Sequence, residues 1–197
     1  LRSKPGNLRR IEEYRSDNTL LLDPATLRNL EIFRTSSNQR KGSLLDTMDE
    51  TVTAGGARLL EDFLARPAVD LDELRRRQRC VTDFHGDSNL AEQTRERLRS
   101  VNDLQRILGR LRNRLARPRE LGGILGALHQ LPELKALFAE RSDLEAAKVS
   151  DRLGTFDDLR DLLKRGLADE LPADLRDGGV IREAFDKDLD QLRELSA

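Results

Sequence analysis

The chain has 197 residues, of which 37% are hydrophobic, 36% charged and only 4% aromatic, with no Trp and a formal net charge of −1. This is enough chain for one good-sized domain or two small ones, with a core of Leu, Ile, Val and Ala. A β-sandwich is disfavoured, since β-branched and aromatic residues concentrate there, and the molecule as a whole carries no basic footprint for nucleic acid.

In chain order, the opening LRSKPGNLRRIEEY reads as helix with a proline near its start, and the missing initiator Met suggests a piece of something longer. NTLLLD (18–23) contains a short apolar run that fits a strand near 19–22, and a second strand is expected near 30–33. In LDPATLRNLEIF, Asp23 is the expected N-cap and Pro24 the first helical residue. Residues 34–43, RTSSNQRKGS, form the most loop-like stretch. TAGGARLLEDFLARP then reads as a helix capped by Thr53 and ended before Pro67. Its Gly55 and Gly56 sit in the first turn, where the absent side chain admits a close backbone.

Asp70 caps the next helix, with Glu73 at capping-box spacing. Leu71, Leu74, Val81 and Phe84 mark its expected buried stripe. SVNDLQRILGRLRNRLARP places Val101, Leu104, Ile107, Leu108, Leu111 and Leu115 on one face. Pro118 opens PRELGGILGALHQL, whose Gly122, Gly123 and Gly126 each cost about 1 kcal/mol of helix stability relative to Ala. Such a cost predicts a tight helix crossing. Residues 140–153 are expected to form an outer helix. TFDDLRDLLKRGLADEL is the clearest amphipathic stretch, with Phe156, Leu159, Leu162, Leu163 and Leu167. The sum is an all-α, irregular multi-helix bundle of about eight helices, with at most one or two short strands near the N-terminus.

Charge is segregated. Arg95 to Arg119 holds nine Arg and two acids, Glu96 and Asp103; from Glu140 to Asp190 acids outnumber bases. Solvated helix faces explain this most simply, and a polarised body within a larger assembly is the functional alternative. The single Cys80 cannot form an internal disulfide, so a reducing, cytoplasmic location is the default. No apolar run is long enough to cross a bilayer.

Chemical motifs are mostly absent. There is no P-loop and no dinucleotide-binding glycine fingerprint. His85 and His129 lie far apart, and no Cys/His/carboxylate group has metal-ligand spacing. Cys80 and His85 would point about 140° apart on one helix, so a small buried thiol and a surface imidazole are expected instead. Asp157 and Asp158 are solvation, not an acid/base pair. Arg75, Arg76, Arg77 and Arg79 form the densest basic run. Helix geometry lets only part of it face one phosphate backbone, so Arg75, Arg76 and Arg79 are the candidates for weak DNA-backbone contact.

LLLDPATLRNLEIF followed by GSLLDTMDETVTAGGARLLEDFLARP resembles the core domain of the bacterial MutS mismatch-repair family. That family reads LD-x-x-T-x-x-NLE and then SLL-x-x-LD-x-T-x-T-x-x-G-x-R-x-L-x-x-WL-x-x-P. Asp23, Thr26, Asn29, Glu31, Ser43, Asp49, Thr51, Thr53, Gly56, Arg58 and Pro67 carry the match. It continues through VNDLQRILGRL (Asp103, Arg106) and RPREL (Pro118), and closes with GGVIREAFDKDLDQLR, containing Gly178, Gly179, Phe185, Leu189 and Leu192. Gly55, Phe63, Gln105 and Ala184 depart from the usual Met, Trp, Glu and Gly.

The resemblance implies three parts: a connector-to-core junction at 1–22, a helical core at 23–182, and at 183–197 the start of a lever helix, truncated before the DNA clamp. It implies a core/lever domain that mechanically couples the ATPase domain to the DNA clamp in mismatched-DNA recognition. The matching residues would then be structural and coupling positions. The chain itself would not be an enzyme and would hold no cofactor; ATP and Mg would bind in the ATPase domain of a DNA-dependent ATPase parent. The implied partners are double-stranded mismatched DNA, a second copy of the full-length protein and a MutL-type repair protein, with no membrane. On the last helix Phe185 and Leu189 are expected to be buried near 156–167, with Leu192 and Leu195 increasingly exposed. The competing reading is a free-standing helical interaction module without catalytic activity, and the length of the native reading frame separates the two.

Overall fold

The computed structural model describes residues 18–141, 145 and 147–196. The helical reading of the opening segment and most of the 1–22 junction lie outside these residues. The fold is all-α, and the described residues contain only isolated β-bridges, no strand. Contacts divide the chain into two units, one of residues 1–48 and 60–75, the other of 49–59 and 76–197.

In the first unit, Thr19 forms a single antiparallel bridge with Ala68. Leu20 donates to the Pro67 carbonyl at 2.7 Å and Val69 to that of Asn18 at 3.1 Å. The expected strand at 19–22 reduces to this one bridge. Helix α1 (Pro24–Asn29) starts as predicted: the Asp23 carboxylate accepts from the Ala25 and Thr26 amides, both at 2.8 Å. No strand follows at 30–33. Glu31 instead takes φ 50° and turns the chain, so that Leu44 donates to the Glu31 carbonyl and Leu45 to that of Ile32. This turn packs Ile32, Ser43 and Leu45 out of solvent at the start of α2 (Leu44–Met48).

Helix α3 (Ala54–Ala65) begins at its Thr53 cap, whose hydroxyl accepts the Gly56 amide at 3.0 Å, and stops before Pro67. Helix α4 (Leu71–Gly86) begins at Asp70, which accepts the Glu73 amide at 2.7 Å. Of its expected apolar stripe only Phe84 is turned inward. Leu71, Leu74 and Val81 are exposed, and the positions turned inward are Arg77, Cys80, Asp83 and Phe84. The cause is the polar segment that its second half meets: the Glu145 amide donates to Asp83 at 2.8 Å, and Arg79 pairs with Glu145. Cys80 is half-buried, and burial raises its thiol pKa. His85 is exposed, as expected, and His129 is exposed as well.

The second unit is organised by α7 (Pro118–Ala139), against which α5 (Ser88–Arg99), α6 (Leu104–Arg112), α8 (Ala147–Arg152) and α9 (Asp157–Gly166) pack. One core cluster joins Leu90, Leu134, Leu137 and Phe138, with the Phe84 ring edge-on to Phe138 at a centroid distance of 6.4 Å. The other joins Ile107, Ile124 and Leu128, with Leu104, Leu121, Leu131 and Leu163 around them. Full burial of one such Leu is worth about 1.5–3 kcal/mol. α7 outruns its predicted end and runs through Pro132.

α6 stops at Arg112, where Asn113 caps it and Arg114 takes φ 58°. Of its predicted stripe only Ile107 is buried; Leu108, Leu111 and Leu115 are exposed. The outer helix expected over 140–153 is described only as α8; residues 142–144 and 146 lie outside the described set. On α9, Phe156, Leu159 and Leu162 are exposed, while Leu163, Gly166 and Leu167 turn inward.

The glycines of α7 act differently from expectation. A Cβ on Gly122 would lie 2.7 Å from Leu171, and one on Gly123 would lie 2.4 Å from the Asn102 amide. Both neighbours are loop residues, so the close approach is loop against helix. A Cβ on Gly126 would meet nothing within 4 Å, which overturns the expected crossing there.

Candidate functional site

Two hydrogen-bonded joints in the second unit gather most of the sequence-derived positions. The first is built on the turn before α3. Asp49 accepts from the Thr51 amide and, at 2.7 Å, from its hydroxyl. Gly56 sits against Thr51 and Thr53; a Cβ there would stand 3.0 Å from the Thr53 hydroxyl. One turn on, Arg58 makes a two-pronged pair with Asp103, both bonds 2.8 Å, and donates to Gln105 at 2.8 and 3.2 Å. Asp103 also caps α6 by accepting the Arg106 amide. The Arg58 guanidinium, helped by that amide, lowers the Asp103 pKa to about 2, and the same pair raises that of Arg58. The planar fork of Arg matches a carboxylate in a way Lys does not. The Gln at 105 still supplies an acceptor, but without a second negative charge.

The second joint is the base of α10 (Lys187–Ser196). Gly178 and Gly179 have φ 69° and 68°, a backbone that favours glycine. The turn delivers Ile181 to an antiparallel bridge with Leu167, while Ala168 donates to the Val180 carbonyl and Arg182 to that of Gly166. The Arg182 guanidinium forks onto Asp169 at 2.6 and 3.0 Å and donates to the Leu167 carbonyl. Asp169 is held below the usual carboxylate range by that hydrogen bond. Arg193 reaches back from α10 to the Ile181 carbonyl at 2.8 Å, and Asp190 accepts the Ala184 amide. Asp186 caps the helix by accepting the Asp188 and Leu189 amides.

The Phe185 ring lies over Gly166, within 3.1–3.4 Å of where a Cβ would stand, yet remains 41% exposed. Leu189 is half-buried, Leu192 is 61% exposed and Leu195 84%. Exposure rises from Leu189 to Leu195 as predicted, but Phe185, expected to be buried, is exposed.

The remaining positions are scattered. Asn29 ends α1 and is exposed, Glu31 forms the turn after it, and Pro67 contributes its carbonyl to Leu20. Pro118 is fully buried at the first turn of α7. Arg75 pairs with Asp72 at 3.9 Å, Arg76 is exposed, and Arg79 contacts Glu145. Sequence reasoning did not single out Asp169 or Arg182. The charge signal was there, an Arg inside the closing motif, but its partner sits in a different, acid-rich stretch. The described residues contain no group of His, Cys, Asp and Glu able to hold a metal ion, and no helix among them is long and apolar enough to cross a membrane.

Of the two charge-assisted joints, the Arg58–Asp103 pair links α3 to the start of α6, and the Arg182–Asp169 pair lies at the base of α10. Residues 25–196 match the family described as MutS domain III. The protein named DNA mismatch repair protein MutS from Symbiobacterium thermophilum is 35% identical over 192 residues, 97% of this chain and 22% of that protein. The protein of the same name from Lachnoclostridium phytofermentans is 32% identical over 190 residues, 96% of this chain and 20% of its own length. The chain thus spans about a fifth of these relatives.

Proposed function

The chain belongs to the MutS domain III family, and from that premise we propose that it serves DNA mismatch repair as the seat of a lever. In this reading a longer parent binds mismatched DNA and ATP, and α10 begins the arm that links the two activities. An α-helix suits this task because its axial hydrogen bonds transmit a rigid-body displacement. A lever also needs a fixed foot. The carrying observation is the Arg182 joint, which ties the start of α10 to Leu167 and Asp169 while Arg193 reinforces it from the second turn. The Arg58–Asp103 joint would hold the body on which that foot stands.

The test is a chimera in which this chain replaces the matching segment of the Symbiobacterium protein. Arg182→Ala is expected to leave binding of a mismatched duplex intact and to slow ATP-induced release from it. The charge-swapped pair Arg182→Asp with Asp169→Arg should recover part of the release rate. Release at an unchanged rate in the Arg182→Ala chimera, with its thermal midpoint preserved, would refute coupling through this joint.

A further inference from the structure

The loop after α1 encloses a pocket of about 580 Å³. Pro24, Leu27 and Phe33 give it apolar surface, Arg28 and Arg34 give it cations, and no carboxylate among the described residues lines it. In this it differs from the charge-mixed pocket beside α9, where Asp158, Asp161 and Glu183 offset Lys164, Arg165 and Arg182. The two nearest carboxylates in sequence are engaged locally. Asp23 caps α1 and also binds the Thr26 hydroxyl, and Glu31 accepts the Ser36 amide. Arg34 spends one donor on the Asn38 carbonyl at 3.0 Å. The rest of its guanidinium, and all of that of Arg28, have no partner among the described residues.

We infer that this pocket docks an acidic peptide segment of a partner protein. One apolar side chain seats on Leu27 and Phe33, and the carboxylates beside it fork onto Arg28 and Arg34. Charge complementarity selects an anion, because guanidinium–carboxylate pairs are the strong, geometrically specific ones. The apolar floor selects a peptide over nucleic acid, since a duplex backbone presents phosphates but no apolar group to fill a concave site. Both arginines are exposed, so the contact is salt-sensitive. It uses none of the residues around α10.

The probe is an acetylated, amidated Glu-Glu-Leu-Phe-Glu-Glu peptide titrated into the full ¹⁵N-labelled chain. Amide shifts are expected at Arg28 and across Thr35–Asn38. Arg28→Glu, which breaks no bond among the described residues, should weaken binding at least about tenfold, as the loss of a charge-assisted pair implies. The Gln analogue of the peptide should bind correspondingly less. No shift at these residues, equal binding by Arg28→Glu, or a response to a short DNA duplex but not to the peptide would each overturn the assignment.

Discussion

Arg58 and Asp103 show what a single residue pair does here. Asp103 does two jobs with one carboxylate: it caps α6 through the Arg106 amide and receives the Arg58 fork from α3. Its folded-state pKa is about 2, against 3.8 for the ordinary group. The folded form therefore binds a proton more weakly than the unfolded form. The stabilisation is complete above pH 3.8 and is lost as the pH falls from there towards 2. Asp103→Asn retains a capping side chain but abolishes the ion pair. Its thermal midpoint is expected to lie below that of the parent chain at neutral pH, and the gap should close across that acid window. A gap that stays constant down to pH 2.5 would show that the pair adds nothing the cap does not. The pairing itself was not legible from the sequence, because the partners stand 45 residues apart and only folding brings them together.

At the scale of elements, α7 and α10 make opposite demands on their residues. Gly126 faces open space, so Gly126→Ala should stabilise the chain by about 0.4–1 kcal/mol through reduced unfolded-state entropy. Gly123→Leu should cost about 1–3 kcal/mol by overpacking against Asn102. Thermal denaturation of the two variants checks both signs; equal shifts would mean that the close approach at Gly123 is without energetic weight. On α10 the gradient in exposure sets the expectation. Leu189→Ala should lower the midpoint measurably, whereas Leu195→Ala, at 84% exposed, should shift stability by no more than about 0.5 kcal/mol. The helix starts were readable because caps are local: Asp23, Thr53 and Asp70 each accept an amide two or three residues onward. The buried faces were less so. In α4 Leu71, Leu74 and Val81 are exposed and only Phe84 of the expected stripe reaches the core, while Asp83 and Arg79 meet Glu145.

For the whole molecule, the proposed role is one of transmission. The isolated chain is expected neither to turn over ATP nor to prefer a mismatched over a paired duplex. Saturable turnover in a steady-state assay, or a clear preference in a binding titration, would overturn that expectation. In the chimera, Leu192→Ala with Leu195→Ala should slow ATP-induced release, although the same changes leave the isolated chain's stability nearly untouched. The two measurements together separate a surface built for the next segment from one that is merely exposed.

The sequence by itself determined the all-α class, the starts of α1, α3 and α4, and the family, because caps, periodicity and motif order are properties of near neighbours along the chain. The tertiary structure alone decided which faces are buried, which carboxylate each arginine takes, and that Asp169 anchors the foot of α10. Those outcomes depend on what an element meets across space. The same leucine is core on α7 and solvent-exposed on α6 according to its neighbour, and an Arg in the closing motif finds its acid only after the glycine turn at 178–179 has folded the chain back onto Leu167.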